Sequence, residues 1–496
     1  MKLSSSISLL LCSATSALFA SSTMANQLSG INTAVPFAKD GHLKMLYDIR
    51  MQPSAIEREG KIYITWRGNN SLPQVISYDL ESQTFSDQID VFEGLTDNID
   101  TKGYPHDHHY SPVIWQDENR YFHIIAGCHG LKSHEISACD KVKSKKPADI
   151  ASGWEAWTGD INASINYPKV MPAYENKTLF YFREGGHLGS WTYRISPNGE
   201  TDWAGPKNSV VDMNIGANPN ESCLDFYAGS YHNARISPDG KKLHISYIWQ
   251  QEIGSPDVFP AELGDNDCVA PVNSLYESYN VPQGRTRYDL FYVTVDLQTG
   301  EVTNVNGEHL DTPVSLSVAE KKALILDTGD RLYSVPPAIT LDEDGEPHFL
   351  GVISAETPNS GWFTYTRRVN GKWDETKVAR TSNVWNSAVL GRNNKGYLRA
   401  LLIMGEGDIA PIGTTKGSDL NRYGWGDRVE EWVSKDEGKT WQLNRDITPK
   451  KGMRYQNIRS VSKGVGKDST EIFLFYGWAP DGKPGQATGF LWDDRT

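Results

Sequence analysis

Residues 231–250 read YHNARISPDGKKLHISYIWQ, and the order of residue types in this stretch recurs along the chain. A polar or aromatic residue and a small residue or proline open the stretch, a short apolar strand follows, and a polar turn leads into a second apolar strand. Six other segments share this order: residues 53–68, 109–127, 166–185, 335–354, 385–404 and 455–478. A weak repeat of two strands, with room for two more in each unit, is typical of four-stranded propeller blades. The sequence therefore predicts an all-β fold, a seven-bladed β-propeller.

Two tight turns support this fold. Residues 434–441, SKDEGKTW, fit the Asp-box pattern S-x-D-x-G-x-T-W, and residues 196–203, SPNGETDW, are a degenerate copy. In such a turn the aspartate bonds the turn backbone, the glycine takes a positive φ and the tryptophan packs between blades. A β-sandwich would also show alternating strands, but it would not explain seven similar openings. The turns resemble those of sialidase-type propellers, which indicates the fold and not the function.

The start of the chain has the features of a secretory signal peptide. Lys2 supplies a positive charge, an apolar run follows, and small residues lead to a predicted cleavage after Ala25, with Ala20 as the alternative. The apolar run is too short to anchor the chain in a membrane. We therefore predict that residues 1–25 are removed, that residues 26–496 form a single propeller domain, and that the mature protein is secreted or periplasmic.

Charge and cysteine content narrow the possible partners and the compartment. The chain has 62 acidic and 49 basic side chains, a net charge of −13, which argues against nucleic acid or an anionic membrane as a partner. We expect a monomer. Four cysteines follow the signal peptide, and in an exported protein an even number suggests disulfides. Pairing by proximity gives Cys128–Cys139 and Cys223–Cys268, but the sequence does not determine the pairing.

Reactive side chains collect at the predicted strand starts, which face the central channel in a propeller. Taken singly, each is more often a packing or solvated residue. Together they describe a site for an anionic sugar, with arginine for a carboxylate, histidine and tyrosine as proton carriers, and aromatic rings for sugar faces. The candidates are His108, His109, His129, Tyr167, Arg183, Tyr231, His232, Trp385, Asn386 and Tyr455.

The same stretches resemble a known family. HDHHYSPVI from residue 106, NYPKVMP from residue 166, LFYFREGG from residue 179 and YHNARISPDGKKLHISY from residue 231 resemble the propeller-fold ulvan lyases, which belong to the BNR-type polysaccharide lyases. The resemblance covers most of residues 45–480. In that family two histidines about 20 residues apart, and a tyrosine and an arginine 16 apart, form the site. His109 and His129 are 20 apart, and Tyr167 and Arg183 are 16 apart.

The resemblance implies β-elimination on a uronic acid within a sulfated polysaccharide. Arg183 would offset the substrate carboxylate charge, because its planar fork binds carboxylate and stays charged. His129 would assist it. We expect His109 to act as the base and Tyr167 as the acid, with the exchange of these roles left open, since a tyrosine beside an arginine can have a lowered pKa. His108 is the alternative to His109.

The resemblance also implies further contacts. No cofactor is expected for the chemistry, but the family often carries a structural metal, zinc or calcium, for which His187, Cys223 and Cys268 are candidate ligands. A Cys223–Cys268 disulfide is the competing interpretation. His108, Tyr231, His232, Trp385, Asn386 and Tyr455 are expected to contact the sugar. Candidate sulfate contacts are Lys169, Arg235, Arg287 and Arg459.

Two other classes of function are compatible with an exported propeller. A sialidase-like glycoside hydrolase would use a tyrosine nucleophile, a carboxylic acid and three arginines around the sugar carboxylate. Here only Arg183 lies at an obvious inner position. A non-catalytic carbohydrate-binding propeller would need the aromatic residues but not a set of histidine, tyrosine and arginine.

Overall fold

The fold is described from a computed structural model of the chain. It describes residues 34–41, 45–95, 109–129, 139–159, 161–185, 189–214, 228–252, 285–329, 331, 333, 335–354, 361–381, 386–405, 425–480 and 486–495. The predicted signal peptide lies outside these residues. Within them, the helices are too short and too polar to cross a membrane.

Strands dominate the described residues. The strands are β1 Val35–Gly41, β2 Ala55–Arg58, β3 Lys61–Arg67, β4 Pro73–Asp79, β5 Thr84–Phe85, β6 Ile89–Asp90, β7 Val113–Gln116, β8 Phe122–Ala126, β9 Asp140–Lys146, β10 Asp149–Ala156, β11 Ile165–Pro172, β12 Thr178–Glu184, β13 Trp191–Ser196, β14 Ala228–Ile236, β15 Lys242–Glu252, β16 Arg285–Asp296, β17 Val302–Thr303, β18 Leu324–Leu326, β19 Ala338–Leu341, β20 Pro347–Ser354, β21 Gly361–Val369, β22 Lys372–Thr381, β23 Ala388–Arg392, β24 Leu398–Met404, β25 Arg428–Ser434, β26 Gln442–Asp446, β27 Arg454–Gly464, β28 Lys467–Trp478 and β29 Ala487–Asp493. Short helical turns are Tyr174–Asn176, Leu316–Val318 and Ala319–Ala323.

The strands form antiparallel units in chain order. Five sheets have the orders β10-β9-β8-β7, β11-β12-β13, β14-β15-β16-β17, β19-β20-β21-β22 and β23-β24-β25-β26. Each of the seven repeated segments supplies the first two strands of a unit, and we number the units one to seven after the segments. The strands that begin units three to seven line a central cavity together with the segment before β2. The prediction of an all-β propeller is confirmed.

The sixth sheet contains the first and last units. Its order is β1-β29-β28-β27-β2-β3-β4-β5, and β2 meets β27 through one parallel bridge between Ile56 and Ser462. Dividing the sheet at this bridge gives unit one (β2 to β6) and unit seven (β27 to β29 with β1), and a total of seven units. The seven-blade count remains a prediction. β1 pairs antiparallel with β29, so an early strand completes the last unit and closes the ring.

Both predicted Asp-box turns have the expected structure. In the first, Thr440 N–H donates to Asp436 Oδ1 at 2.9 Å, and Gly438 has a φ of 84°. Trp441 packs against Tyr365 of the neighbouring unit with ring centroids 5.3 Å apart. In the degenerate copy the side chain of Asn198 replaces the aspartate and accepts from Thr201 N–H at 2.9 Å. Trp441 therefore joins adjacent units, as predicted, whereas Trp203 of the degenerate copy packs on Phe180 of its own unit, with ring centroids 5.1 Å apart.

The segment before β2 crosses the hub of the propeller. We call residues 47–53 the crossing segment. Its hydrogen bonds reach units two, three, four and seven: Ile114 N–H to Pro53 O, Gln52 N–H to Pro168 O, Gln52 Nε2 to Asn233 Oδ1, and Asn457 Nδ2 to Tyr47 O. The crossing segment thus connects strands that are far apart in sequence.

A disulfide joins Cys128 to Cys139, as pairing by proximity predicted. It links the end of β8 to the start of β9, with Cys128 1% and Cys139 6% exposed. Cys223 and Cys268 lie outside the described residues, so their pairing stays a prediction.

We expect the double variant Cys128→Ser/Cys139→Ser to lose about 3 kcal/mol of unfolding free energy, because the bridge closes a short loop and restricts the unfolded chain. Denaturant unfolding of exported protein measures the loss, and non-reducing peptide mapping should recover the two cysteines as one linked pair. Free thiols at both positions, together with unchanged stability of the double variant, would contradict the bridge.

Candidate active site

Four predicted residues converge at one end of the hub. Tyr167 lies on β11, Arg183 lies on β12, His109 precedes β7, and His129 follows β8. Neighbouring units two and three therefore supply all four. Tyr231, on β14 of unit four, lies beside them, with its hydroxyl 3.5 Å from that of Tyr167.

Tyr167 has an irregular backbone. Its φ is 52°, in the left-handed region, and the pairing of β11 with β12 shifts register between Asn166 and Lys169. A bulge of this kind bends a strand and re-aims a side chain, and a non-glycine residue in this region costs about 1–3 kcal/mol. The tyrosine hydroxyl lies 3.0 Å from Nε2 of His129. The strand thus departs from regular geometry at the residue that reaches this histidine.

The two histidines are close neighbours. The ring centroids of His109 and His129 are 4.0 Å apart, and the ring of His109 meets Tyr167 edge to face at 5.7 Å. His109 is 8% exposed. The structure therefore brings together two imidazoles and a phenol: His109 and Tyr167, which the resemblance implies as proton carriers, and His129, which it implies as an aid to Arg183.

Arg183 is a buried cation that pairs with no acidic side chain among the described residues. Its guanidinium carbon lies 4.8 Å from the Tyr167 ring centre and 5.6 Å from that of Tyr231, and the residue is 2% exposed. Nε of Arg183 has no hydrogen-bond acceptor, and no salt bridge to it forms in the part of the chain that the structure describes. A buried charge without a counter-ion is costly. Its position therefore favours binding of an anion from outside the protein.

Two further arginines lie at the same tyrosines. The guanidinium carbon of Arg50 is 5.0 Å from the Tyr167 ring centre, and that of Arg287 is 4.3 Å from the Tyr231 ring centre. Arg287 Nε donates to Gln250 Oε1 at 2.6 Å. Sequence analysis considered Arg287 but missed Arg50, because Arg50 precedes the first repeated segment and occupies no strand start. Only the path of the crossing segment brings it to the site.

Burial determines the protonation of Tyr167. Removal from water raises the pKa of Tyr167 well above 10, the neighbouring Tyr231 adds to this, and the positive charges of Arg50 and Arg183 oppose it. The lowered pKa considered from the sequence is therefore not found. The phenol is protonated at neutral pH, so it can donate a proton to a leaving oxygen but is a poor base.

His232 follows Tyr231 on β14 and is buried. Its Nδ1 lies 2.5 Å from the Tyr181 hydroxyl and its Nε2 lies 2.7 Å from Ser230 Oγ, while its ring stacks on Trp191 at 4.2 Å. Burial, with the nearby Lys169 and Arg183, holds the pKa of His232 well below its ordinary value. Both ring nitrogens are occupied, so this neutral ring supports the site, and we do not retain it as a sugar contact.

Tyr455 also differs from the expectation. It is fully buried in the core near Phe475, and its hydroxyl donates to Lys450 O at 2.6 Å. Strand starts in unit seven therefore do not all face the channel, because the residue points between the units. Asn386 lines the central cavity and donates to Thr381 Oγ1 at 2.9 Å.

The remaining candidates fall into two groups. Of the candidate sulfate contacts, Lys169 donates to Arg50 O, Arg459 donates to Asp48 O, and Arg235 pairs with Asp468 at 3.0 Å.

The predicted residues outside the described part of the chain are His108, His187, Cys223, Cys268 and Trp385. Within the described part, the structure shows no group of three histidine, cysteine or acidic side chains that could hold a metal.

Comparisons with known proteins agree with the architecture. The chain is 26% identical over 315 residues to the "Ulvan Lyase-PL25" of Pseudoalteromonas sp. (strain PLSV), covering 60% of this chain and 57% of that protein. It is 21% identical over 428 residues to an ulvan lyase of Nonlabens ulvanivorans, covering 83% and 80%. The chain thus spans less than two thirds of the Pseudoalteromonas relative.

A solved structure shows the same fold. The PL25 ulvan lyase bound to -[GlcA(1-4)Rha3S]- superposes with a TM-score of 0.69 at 21% identity, covering 93% of this chain and 96% of that one. Residues 59–381 match the sequence model described as "BNR repeat-containing family member". Because this match covers more than half of the chain, the protein belongs to the BNR repeat-containing family.

Proposed function

We propose that the protein is a polysaccharide lyase that cleaves ulvan by β-elimination. The observation that carries the proposal is the cluster of a protonated phenol, two imidazoles and a buried guanidinium that has no acidic partner in the described part of the chain, at one end of the hub. The similarity to ulvan lyases supports the substrate class, an anionic sulfated polysaccharide of rhamnose and uronate. We propose an exported, monomeric enzyme with no nucleic-acid or membrane partner.

The substrate carboxylate would bind at Arg183. The proton on C5 of a uronic acid is weakly acidic, because the negative carboxylate opposes the build-up of further charge when this proton leaves. Arg183 can offset that charge through two parallel hydrogen bonds. The interaction strengthens as charge spreads toward the enolate, so it stabilises the transition state more than the bound substrate.

His109 and Tyr167 would move the protons. Neutral His109 takes the C5 proton, the C5–H electrons form the C4=C5 double bond, and the bond from C4 to the glycosidic oxygen breaks. Tyr167 gives its proton to that oxygen, which its raised pKa allows because the phenol stays protonated. The imidazolium of His109 and the phenolate of Tyr167 then return to their starting forms. His129 assists at the carboxylate and orients the Tyr167 hydroxyl through Nε2.

A hydrolase remains the second candidate for one reason. Arg50, Arg183 and Arg287 all lie within 6 Å of the Tyr231 ring centre, so the sequence argument that only one arginine faces inward no longer holds. However, Asp48, the carboxylate beside these arginines, is held by Arg50 at 2.5 Å. It is therefore engaged and poorly placed to serve as a catalytic acid.

The product distinguishes these functions. Purified protein is incubated with ulvan and with a panel of other uronate polysaccharides, and ultraviolet absorbance of the unsaturated uronyl end is followed. A lyase gives an unsaturated product from ulvan, whereas a hydrolase gives a saturated reducing end. Binding without any product would favour the non-catalytic carbohydrate-binding propeller.

We expect Tyr167→Phe and His109→Ala each to lower kcat by about 10²–10⁴-fold, because each removes a proton carrier. Thermal stability and substrate binding should stay close to wild type. The double variant should be little worse than either single variant, because the two groups act as a unit. Arg183→Lys keeps a charge but loses the fork, so kcat should fall more than KM rises.

Tyr455→Phe is the matched control for these variants. It removes the hydroxyl of another buried tyrosine on a unit-opening strand, far from the histidines, and should keep wild-type turnover. If Tyr167→Phe and His109→Ala both retain most of their activity, the site lies elsewhere on the propeller.

We further propose that the chemical step needs no cofactor and that any metal is structural, with His187, Cys223 and Cys268 as candidate ligands. A bound metal of this kind would stabilise the fold only. Chelation should therefore lower the melting temperature without an immediate effect on turnover. Complete loss of turnover on adding chelator, in protein whose circular dichroism shows it still folded, would overturn this proposal.

A further inference from the structure

The crossing segment holds the strand that carries Tyr167. Gln52 N–H donates to Pro168 O at 3.1 Å, and Val170 N–H donates to Gln52 O at 2.8 Å. Both bonds fall directly after the irregular residue, where β11 and β12 are out of register. The backbone at Tyr167 is therefore held from the other side, by a segment 115 residues earlier in the chain, as the separation of Gln52 from Tyr167 shows.

The crossing segment also places an ion pair against the Tyr167 ring. Arg50 Nε donates to Asp48 Oδ1 at 2.8 Å, and Arg50 Nη2 lies 2.5 Å from Asp48 Oδ2, with the residues 5% and 1% exposed. The backbone of the pair is bonded too, because Lys169 donates to Arg50 O and Arg459 donates to Asp48 O. The bidentate ion pair and the hydrogen bonds to the two backbone carbonyls together hold the Arg50 guanidinium in one position over the Tyr167 ring.

We propose that Arg50 and Asp48 are positioning residues of the active site, which act on the reaction through Tyr167. Neither needs to touch the substrate. The Arg50 guanidinium of the pair lies 5.0 Å from the centre of the phenol ring, and the pair fixes both the orientation and the electrostatic surroundings of the proton donor. The inference rests on the proposed function only in assigning that donor role to Tyr167.

The two charges act on Tyr167 in opposite directions. Arg50, at 5.0 Å from the ring centre, stabilises the tyrosinate, and Asp48 destabilises it. Among the residues that the structure describes, the other titratable or charged groups that face the phenol are Arg183 from β12, Tyr231 from β14, and His109 and His129 from unit two. These are unchanged in the variants below, so a shift between variants reports the ion pair.

The test uses Arg50→Gln and Asp48→Asn in the full chain, with kcat on ulvan measured across neutral and alkaline pH. Loss of the cation should move the alkaline limb of the kcat profile to higher pH, and loss of the anion should move it to lower pH, each by about one unit. Turnover at neutral pH should fall at least about tenfold in Arg50→Gln with little change in KM, as expected of a misplaced group. Limbs that stay in place, or that move in the same direction, would overturn the inference.

Three further variants distinguish a general loss of stability from the effect of the ion pair on Tyr167. Arg50→Lys keeps the charge, so the limb should stay in place although kcat falls. The double variant Asp48→Asn/Arg50→Gln removes both charges of the pair together, and its limb should return close to that of wild type. Arg399, on β24 and away from the site, is a matched control. It is 3% exposed and forms an ion pair with Glu431 at 2.5 Å. Arg399→Gln should lose thermal stability and keep the wild-type profile; a displaced limb in this control would overturn the assignment.

A substrate-free measurement keeps the inference distinct from the proposed function. Tyrosinate absorbance is titrated for each variant and for the same variant with Tyr167→Phe, and the difference isolates Tyr167. The midpoint should move up in Arg50→Gln and down in Asp48→Asn. If wild type gives no unsaturated product, the proposed function fails while these midpoints still decide the effect of the pair. Unchanged midpoints would overturn the inference even in an active lyase.

Discussion

Buried positive charge at the hub is the constraint that the rest of this structure accommodates. Arg50, Lys169, Arg183 and Arg459 are all at most 8% exposed. Asp48 neutralises one of them, and backbone carbonyls of the crossing segment accept from two others. Burial and the nearby Arg459 hold the pKa of Lys169 well below its ordinary value, so this amine need not carry a charge. Among these four residues in the described chain, only Arg183 has neither a carboxylate partner nor a carbonyl acceptor from the crossing segment. For this reason we propose that Arg183 binds the anionic group of the substrate.

The irregular strand at Tyr167 follows from the same requirement. A regular β11 would send successive side chains to alternating faces of the sheet. The bulge and the positive φ instead let the phenol approach both the arginines and His129, at a local cost that the surrounding contacts must offset. Strain of this kind is tolerated where neighbouring structure holds it, and here the crossing segment bonds the strand immediately beyond the bulge.

The propeller framework supplies rigidity to a site assembled from several units. The Asp-box residue Trp441 packs unit six against unit five, and β1 closes the ring against β29. The Cys128–Cys139 bridge restrains the chain immediately before His129, while His232, next to Tyr231 on β14, stacks on Trp191. Residues outside the cluster thus determine where its four side chains can lie, so a site of this kind depends on packing between units as much as on its own residues.

The sequence by itself determined the features that depend on local order or on spacing. The two-strand pattern identified the first strands of every unit, and the S-x-D-x-G-x-T-W pattern identified the turns. The resemblance to the propeller-fold ulvan lyases, through its 20- and 16-residue spacings, implied His109, His129, Tyr167 and Arg183, which the structure brings together. The strand and turn predictions agree with the structure because strand period and turn chemistry depend on residues that are neighbours in the sequence. Tertiary structure alone decided that Arg50 reaches Tyr167, that Tyr455 faces the core and that both nitrogens of His232 are occupied. Each of these depends on a direction set by contacts between distant segments, such as the bond of Gln52 to Pro168, and a strand pattern does not specify such contacts. The expectation of a lowered pKa for Tyr167 was likewise wrong. Desolvation depends on how completely the fold removes the phenol from water, and here it raises the pKa by more than the two neighbouring arginines lower it.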